Sequence, residues 1–213
     1  MVKNYRYILL DWDGNLARTL DLWLDAFRTV LEKRGLHKTD EEIAGSFGAF
    51  VATATNWGVT DISAAMEEAD QIAKRKLPDV ALYPDALEVL SKLHERGKKL
   101  ALISSSTREN ILHLLESHHI AQYFNAVIAA DDVSRHKPDP EPLEKALTAL
   151  GGTKSEAVII GDSDKDIGAA RNFGIDSILF YPEEHKKFYD LEKLTPLRPT
   201  HVVADFKQVL DIT

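Results

Sequence analysis

The stretch Tyr7-Ile8-Leu9-Leu10-Asp11-Trp12-Asp13-Gly14-Asn15-Leu16 decides how the rest of this chain is interpreted. Its first part is an unbroken apolar run, which is typical of a strand that is buried on both faces. Asp11 and Asp13 follow with one residue between them, and Gly14 allows a sharp turn. Two neighbouring carboxylates repel each other unless a cation or a shared proton lies between them. The stretch therefore predicts a metal site, an acid–base pair or both, with an ordinary polar turn as the alternative.

Composition and charge exclude several classes of protein. The chain has 213 residues, of which 44% are hydrophobic and 28% are charged, as in an ordinary globular protein. The formal net charge of −8 argues against a protein that binds nucleic acid. The first residues lack the apolar core of a signal peptide, and no apolar run approaches the ~20 residues of a membrane span. We therefore expect a cytoplasmic protein whose partner is neither nucleic acid nor a membrane.

The chain changes character near Pro84. Between residues 16 and 83, apolar residues recur at helical spacing, without a convincing strand. Beyond that point, short apolar strands alternate with amphipathic helices, which predicts a parallel sheet covered on both faces. The later strands are expected at 100–103, 126–129, 157–160, 177–180 and 201–203. We predict an α/β fold with a Rossmann-like parallel-sheet core (residues 1–15 and 84–213) and a small all-helical cap (residues 16–83) inserted after strand 1.

Two helix starts in the predicted cap have local signals. Thr39 and Glu42 have the spacing of a capping box, in which each side chain bonds the backbone of the other. Asp61 stands where its side chain would cap the next helix. We also expect the surface of the cap that faces the core to include residues 46–48, which are Ser46, Phe47 and Gly48.

Polar side chains follow several of the predicted strands. In an open parallel sheet, ligands bind beyond the carboxyl ends of the strands, so these side chains should meet at one edge. Carboxylate ligands without His or Cys suit Mg2+. A magnesium ion, a lysine and a hydroxyl around a carboxylate are what phosphoryl transfer to that carboxylate requires. The candidate residues are Asp11, Asp13, Ser104, Lys137, Asp162 and Asp166.

With these residues in this order, the chain resembles the haloacid dehalogenase superfamily. The similarity is to the group that carries a helical cap after the first strand, with members like phosphoglycolate phosphatase and beta-phosphoglucomutase. It covers nearly the whole chain. It rests on four short motifs at strand ends or in the loops after them: Asp11-Trp12-Asp13-Gly14, Ser104, Lys137-Pro138, and Gly161-Asp162 with Asp166. Each motif alone is weak, but four in the family's order are a strong signal.

The resemblance implies roles for the four carboxylates. Asp11 would be the nucleophile that forms an aspartyl-phosphate. Asp13 would protonate the leaving group and then activate the water that breaks the intermediate. Mg2+ would lie between Asp11, the backbone carbonyl of Asp13, and Asp162. Asp166 would bind the metal or orient its surroundings.

The resemblance also implies a phosphate-binding set. Ser104 and Lys137 would hold the phosphoryl oxygens, and Ser105 would contribute a backbone amide. Two positions depart from the family's pattern, since Asn15 stands in place of the usual threonine and Arg18 in place of an acidic residue. Arg18 is therefore a candidate contact for an anionic group of the substrate, with simple solvent exposure as the alternative.

These observations predict a Mg2+-dependent phosphatase that acts on a small phosphorylated metabolite. Asp13 disfavours the dehalogenating and phosphonate-cleaving branches, which lack an aspartate at this position. A sugar-phosphate mutase is the enzymatic alternative, although the segment 18–23 lacks the histidine that such mutases tend to carry. A non-catalytic binding protein is the second alternative, and the presence of both Asp11 and Asp13 argues against it.

Overall fold

The predicted parallel sheet is present in the computed structural model, which describes residues 3–47 and 49–213. Met1 and Val2, and the predicted cap-surface residue Gly48, lie outside the described residues. The strands are β1 (Tyr7–Asp11), β2 (Lys99–Ile103), β3 (Phe124–Ile128), β4 (Ala157–Gly161), β5 (Asp176–Phe180) and β6 (His201–Val203). Within the described residues all strands run parallel, in the order β3-β2-β1-β4-β5-β6. The α/β fold class is therefore confirmed.

The first strand occupies the middle of this sheet. All five residues of β1 are buried, as its unbroken apolar run predicts. β2 and β4 flank it, and the register pairs Leu10 with Leu102 on one side and with Ile160 on the other. The carboxyl ends of these three strands therefore lie side by side.

Helices cover both faces of the sheet. Ile8 and Leu10 pack with the helices α5 (Ala86–Glu95) and α6 (Arg108–Ser117). Tyr7 and Leu9 pack with α7 (Glu141–Ala149) and α8 (Asp164–Phe173) on the opposite face. None of the helices described is long and apolar enough to cross a membrane. The helices are α1 (Leu20–Lys33), α2 (Asp40–Ala44), α3 (Phe50–Asn56), α4 (Ile62–Lys76), α5 (Ala86–Glu95), α6 (Arg108–Ser117), α7 (Glu141–Ala149), α8 (Asp164–Phe173), α9 (Leu191–Leu194) and α10 (Val209–Ile212).

The helices α1 to α4 lie between β1 and the rest of the sheet and build an apolar cluster of their own around Phe27. The two connections to this region lie together, because Ala17 and Leu82 form an antiparallel bridge. In addition, the Tyr83 amide donates to the Leu16 carbonyl at 2.9 Å. These features support the division into core and cap at residues 16 and 83, which stays our proposal.

The two local helix signals have different outcomes. Thr39 and Glu42 form the predicted capping box at the start of α2. Asp61 occupies the N-cap position of α4, but its side chain makes no cap hydrogen bond, so that part of the prediction is wrong. Its carboxylate instead pairs with Arg34 at 2.7 Å, because a guanidinium offers a stronger, charge-assisted partner than a backbone amide.

One segment after β5 contacts the proposed cap. Phe188 is buried in the apolar cluster of α1 to α4, with its ring 5.1 Å from the ring of Phe47. The predicted cap-surface residue Phe47 therefore does face the core, whereas Ser46 is buried and donates its hydroxyl to the Ile43 carbonyl. The Lys187 ammonium also lies 2.7 Å from the Asp21 carboxylate. Apolar and ionic contacts thus join the segment after β5 to the proposed cap.

Candidate active site

The predicted site residues meet at the carboxyl edge of the sheet. Asp11 is the last residue of β1, and Ile103 of β2 is paired with it, so that Ser104 begins the neighbouring loop. On the other side β4 ends at Gly161, directly before Asp162. The central position of β1 therefore places Asp11 between two polar strand ends.

Lys137 reaches this edge from the loop that precedes α7. Its side chain is buried, and its ammonium nitrogen lies 2.8 Å from Asp11 Oδ1 and 2.6 Å from Asp166 Oδ1. Oxygen atoms of Asp11, Asp162 and Asp166 all lie within 4.8 Å of one another. The structure thus brings three buried carboxylates and one buried lysine into a single cluster.

The electrostatics of this cluster favour a further cation. Burial raises the pKa of the Asp11 carboxyl to about 7, although the Lys137 ammonium opposes this. Burial, followed by the charges of Asp166 and Asp11, raises the pKa of Asp162 well above its ordinary range. Asp162 Oδ2 is also buried, and it has no hydrogen-bond partner within the part of the chain that the structure describes. Buried carboxylates are normally paired or bind metals, so the donor set fits a hard divalent cation.

Asp166 is held differently from Asp162. One of its oxygens accepts from the Lys137 ammonium, and the other accepts from the amide and the hydroxyl of Ser163, at 3.2 and 2.7 Å. A Cβ atom on Gly161 would lie 2.3 Å from the Asp166 carboxyl carbon, so only glycine permits this approach. Both oxygens of Asp166 are thus engaged within the protein, which favours orientation of Lys137 over direct metal binding.

The turn after β1 is closed by several backbone hydrogen bonds. The Trp12 carbonyl accepts from three amides in succession, those of residues 15, 16 and 17. Asn15 is fully buried and donates its side-chain amide to the Asp11 carbonyl at 3.0 Å. The unusual asparagine therefore serves to fix the turn that carries the two predicted catalytic carboxylates.

Gly14 is required in this turn for two reasons. Its φ of +66° lies in the left-handed region, and an added Cβ would lie 2.1 Å from Asp162 Oδ2. The backbone of the first motif thus touches the carboxylate of the fourth.

Asp13 is partly buried and lies beside α1. Its Oδ1 accepts a hydrogen bond from the Trp23 indole nitrogen at 3.0 Å. Burial raises the pKa of Asp13, whereas hydrogen bonds from Trp23 and Thr19 oppose that rise. A raised pKa suits a group that must act as an acid near neutrality.

The predicted phosphate-binding residues Ser104, Ser105 and Lys137 line one recess beside Asp11. Ser104 is buried, and its Oγ accepts from the Ser106 amide at 3.1 Å. Ser105 is exposed and lines a small recess together with Ser104 and Lys137. The structure therefore gathers these three residues, and their role as phosphate ligands stays a prediction.

Arg18 is paired with a carboxylate that does not belong to this cluster. Its guanidinium lies 3.0 Å from the Glu184 carboxylate and lines a cavity of about 290 Å³ together with Tyr83 and Phe188. A contact between Arg18 and the substrate would have to compete with this ion pair.

Three side chains near the site were not found from the sequence. The indole of Trp23 follows an apolar helical pattern that indicated only packing. Tyr189 lies beside Asp162, and its pKa is raised by burial and then by that carboxylate. His185 is fully buried, with Nε2 2.6 Å from the hydroxyl of Tyr83. The Trp23 bond spans ten residues across the turn after β1, and the His185 bond joins residues 102 positions apart, so no local pattern indicates them.

Comparisons with known proteins agree with this geometry. A family model described as haloacid dehalogenase-like hydrolase matches residues 8–180. Pyrophosphatase PpaX of Halalkalibacterium halodurans is 29% identical, over 96% of this chain and 95% of that protein. The phosphoglycolate phosphatase of Salmonella typhi is 40% identical over 46% of this chain and 38% of that protein. A solved structure of a haloacid dehalogenase-like hydrolase from Bacteroides fragilis has a TM-score of 0.85 at 27% identity, covering 97% of this chain and 100% of that one.

The match to the family model spans well over half of the chain. It confirms the superfamily that the four motifs indicated. The named relatives are a pyrophosphatase and a phosphatase, so the expected class of enzyme is confirmed at the level of the family. This chain belongs to the haloacid dehalogenase-like hydrolase family.

Proposed function

We propose that this protein is a Mg2+-dependent phosphatase that acts on a small phosphorylated metabolite through an aspartyl-phosphate on Asp11. The observation that carries the proposal is the buried cluster around Asp11. It contains one lysine against three carboxylates, and Asp162 Oδ2 has no partner among the described residues. The names of the relatives, a pyrophosphatase and a phosphoglycolate phosphatase, support a small phosphorylated substrate.

The proposed reaction has two steps. In the first, the Asp11 carboxylate attacks phosphorus, the bond to the leaving oxygen breaks, and Asp13 gives that oxygen its proton. In the second, water attacks the phosphorus of the aspartyl-phosphate while Asp13 takes a proton from it. Inorganic phosphate leaves and the Asp11 carboxylate is restored.

The surrounding residues stabilise the charge that develops on the phosphoryl group. Lys137 is fixed by Asp166 and donates to the phosphoryl oxygens, and Ser104 with the Ser105 amide binds them from the β2 side. Asp11 and Asp162, with the Asp13 carbonyl, would hold Mg2+, which neutralises the repulsion between the carboxylate and the phosphate. The proposed cap excludes water and selects the leaving group.

The test is phosphate release from a panel of phosphate compounds that includes pyrophosphate and phosphoglycolate. Wild type, Asp11→Asn and the control Asp164→Asn are compared in Mg2+ and in EDTA. Asp164 is an exposed carboxylate at the first position of α8, two residues after Asp162, so its loss should leave activity unchanged. We expect release only in Mg2+, and a loss of at least about 1000-fold in Asp11→Asn.

Two results would contradict the proposal. Release that survives in Asp11→Asn would exclude Asp11 as the nucleophile. A wild-type protein that binds Mg2+ and isomerises a sugar phosphate without releasing phosphate would be a mutase.

A further inference from the structure

Trp23 connects the proposed cap with the turn that carries Asp13. It lies in the first turn of α1, and its partly buried ring packs against both the core cluster and the cap cluster. The ring centroid is 5.9 Å from that of Phe27, and the Trp23 amide donates to the Thr19 carbonyl. Packing on both sides leaves this indole little freedom to rotate.

The indole nitrogen of Trp23 donates to Asp13 Oδ1 at 3.0 Å. An indole N–H can only donate, so its partner oxygen must act as an acceptor. The two oxygens of Asp13 are therefore not equivalent. Oδ1 accepts from Trp23, and a proton on Oδ1 would weaken it as an acceptor, whereas a proton on Oδ2 leaves Oδ1 as the stronger, carbonyl-type acceptor for this bond.

We propose that Trp23 is a positioning residue, which holds the Asp13 carboxyl group so that Oδ2 delivers and receives the transferred proton. This inference rests on the proposed function. In the first step the Oδ2–H bond breaks, its proton passes to the leaving oxygen, and the bond between phosphorus and that oxygen breaks. In the second step Oδ2 accepts a proton from the attacking water. Trp23 gives up no proton in either step.

Thr19 contacts the same region but cannot select one oxygen. Its hydroxyl accepts from the Gly14 amide at 3.3 Å. A hydroxyl can donate or accept, so it tolerates a proton on either oxygen of Asp13. The indole N–H of Trp23 on α1 can only donate, so it is the group that distinguishes the two oxygens of Asp13.

The role can be separated from simple packing by changing the leaving group. A nitrophenolate departs without help from an acid, whereas an alkoxide requires a proton. We therefore measure kcat for 4-nitrophenyl phosphate and for an alkyl phosphate in each variant, and compare their ratio. The ratio does not depend on the fraction of folded enzyme.

The variants are Trp23→Phe, which keeps an aromatic ring but loses the donor, Trp23→Gln, which restores an N–H, and Trp57→Phe. Trp57 is a partly buried tryptophan of the cap cluster and serves as the packing control. In Trp23→Phe we expect alkyl phosphate turnover to fall about 10-fold or more, with nitrophenyl phosphate turnover changed less than about 3-fold. Trp23→Gln should recover part of the ratio, and Trp57→Phe should leave it unchanged.

Asp13→Asn identifies which proposal fails. If Asp13→Asn shifts the ratio strongly but Trp23→Phe does not, the positioning role of Trp23 is overturned while the proposed function stands. If Asp13→Asn leaves the ratio unchanged, the acid role of Asp13 itself is wrong. An equal loss on both substrates in Trp23→Phe would show packing alone and also overturn the inference.

Discussion

The Lys137 ammonium lies closer to Asp166 than to Asp11, at 2.6 Å from one carboxylate and 2.8 Å from the other. The second oxygen of Asp166 is bonded to the amide and hydroxyl of Ser163 at the start of α8. Asp166 thus connects the lysine to the loop that also carries Asp162. This link would keep Lys137 in place when a phosphoryl group binds it, as the proposed function requires.

The first prediction concerns Asp166→Asn. The amide keeps the size of the side chain but loses the charge that orients Lys137, so kcat/KM should fall about 10- to 100-fold. Mg2+ binding, measured by calorimetric titration, should weaken less than in Asp162→Asn. Equal loss of Mg2+ binding in the two variants would instead make Asp166 a direct metal ligand.

The second prediction concerns two glycines with positive φ. Gly14 (φ +66°) and Gly35 (φ +71°) adopt similar backbone conformations, but a Cβ on Gly14 would meet Asp162, whereas no atom of residues 3–47 or 49–213 lies within 4 Å of one on Gly35. Alanine at either position costs about 1–2 kcal/mol of backbone strain. Activity should fall about 100-fold in Gly14→Ala only, because Asp162 is displaced.

Thermal unfolding of both alanine variants, with and without Mg2+, is the accompanying measurement. We expect Mg2+ to raise the Tm of wild type and of Gly35→Ala equally, and to raise that of Gly14→Ala much less. An active Gly14→Ala variant that keeps its Mg2+ response would contradict the close approach of Gly14 to Asp162.

The third prediction concerns stability in the absence of metal. A carboxyl whose pKa is raised in the folded protein keeps its proton to higher pH than it does in the unfolded chain. The free energy of unfolding therefore falls as the pH rises above the ordinary aspartate value of 3.8. Asp162→Asn has no carboxyl at this position, so its free energy of unfolding does not fall in this way. In EDTA at pH 8 its Tm should therefore exceed that of wild type, by about 2–4 °C for each kcal/mol of unfolding free energy that is recovered. Near pH 4 the difference should vanish.

Addition of Mg2+ should reverse the ranking. At a concentration of 100 Kd, a bound ion stabilises wild type by about 2.7 kcal/mol, whereas Asp162→Asn should gain much less. Asp164→Asn, the exposed control, should follow wild type in both conditions. A wild-type Tm that exceeds that of Asp162→Asn even in EDTA would mean that the buried carboxylate is already compensated without a cation.

The fourth prediction concerns His185, which is buried against the Tyr83 hydroxyl. Burial lowers its pKa to about 4 from the ordinary value of 6.5. Between these values the unfolded chain binds the proton and the folded protein does not, so stability falls as the pH falls from 6.5 to 4. This residue contributes a slope of at most about 1.4 kcal/mol per pH unit.

Chemical denaturation across this pH range tests the assignment. The double variant Tyr83→Phe/His185→Leu removes both hydrogen-bonding partners. Between pH 4 and 6.5 its free energy of unfolding should therefore change less with pH than that of wild type, and the difference in slope should equal the contribution of His185. His113→Gln removes an exposed histidine and should leave the slope unchanged. If the free energy of unfolding changes with pH equally in the double variant and in wild type, His185 is not the cause of the loss of stability in acid.

Much of this fold followed from local patterns. Apolar runs and helical periodicity predicted the strands and the helical region, because burial on one or both faces leaves a regular signature in sequence. The site at the edge of the sheet was predicted for a related reason. Parallel strands bring their carboxyl ends to one edge, so Asp11, Ser104 and Asp162 were expected to meet.

Other contacts were decided only by the tertiary structure. Asp61 has the right position for a cap, yet Arg34 takes its carboxylate, because the packing of α1 against α4 brings a guanidinium within reach. Trp23 and Asp13 become partners because the first helix packs against the turn after β1. Sequence by itself determined which chemical groups stand at the strand ends. The packing of helices against the sheet and against each other decided how those groups are paired, because side chains distant along the chain leave no shared local pattern.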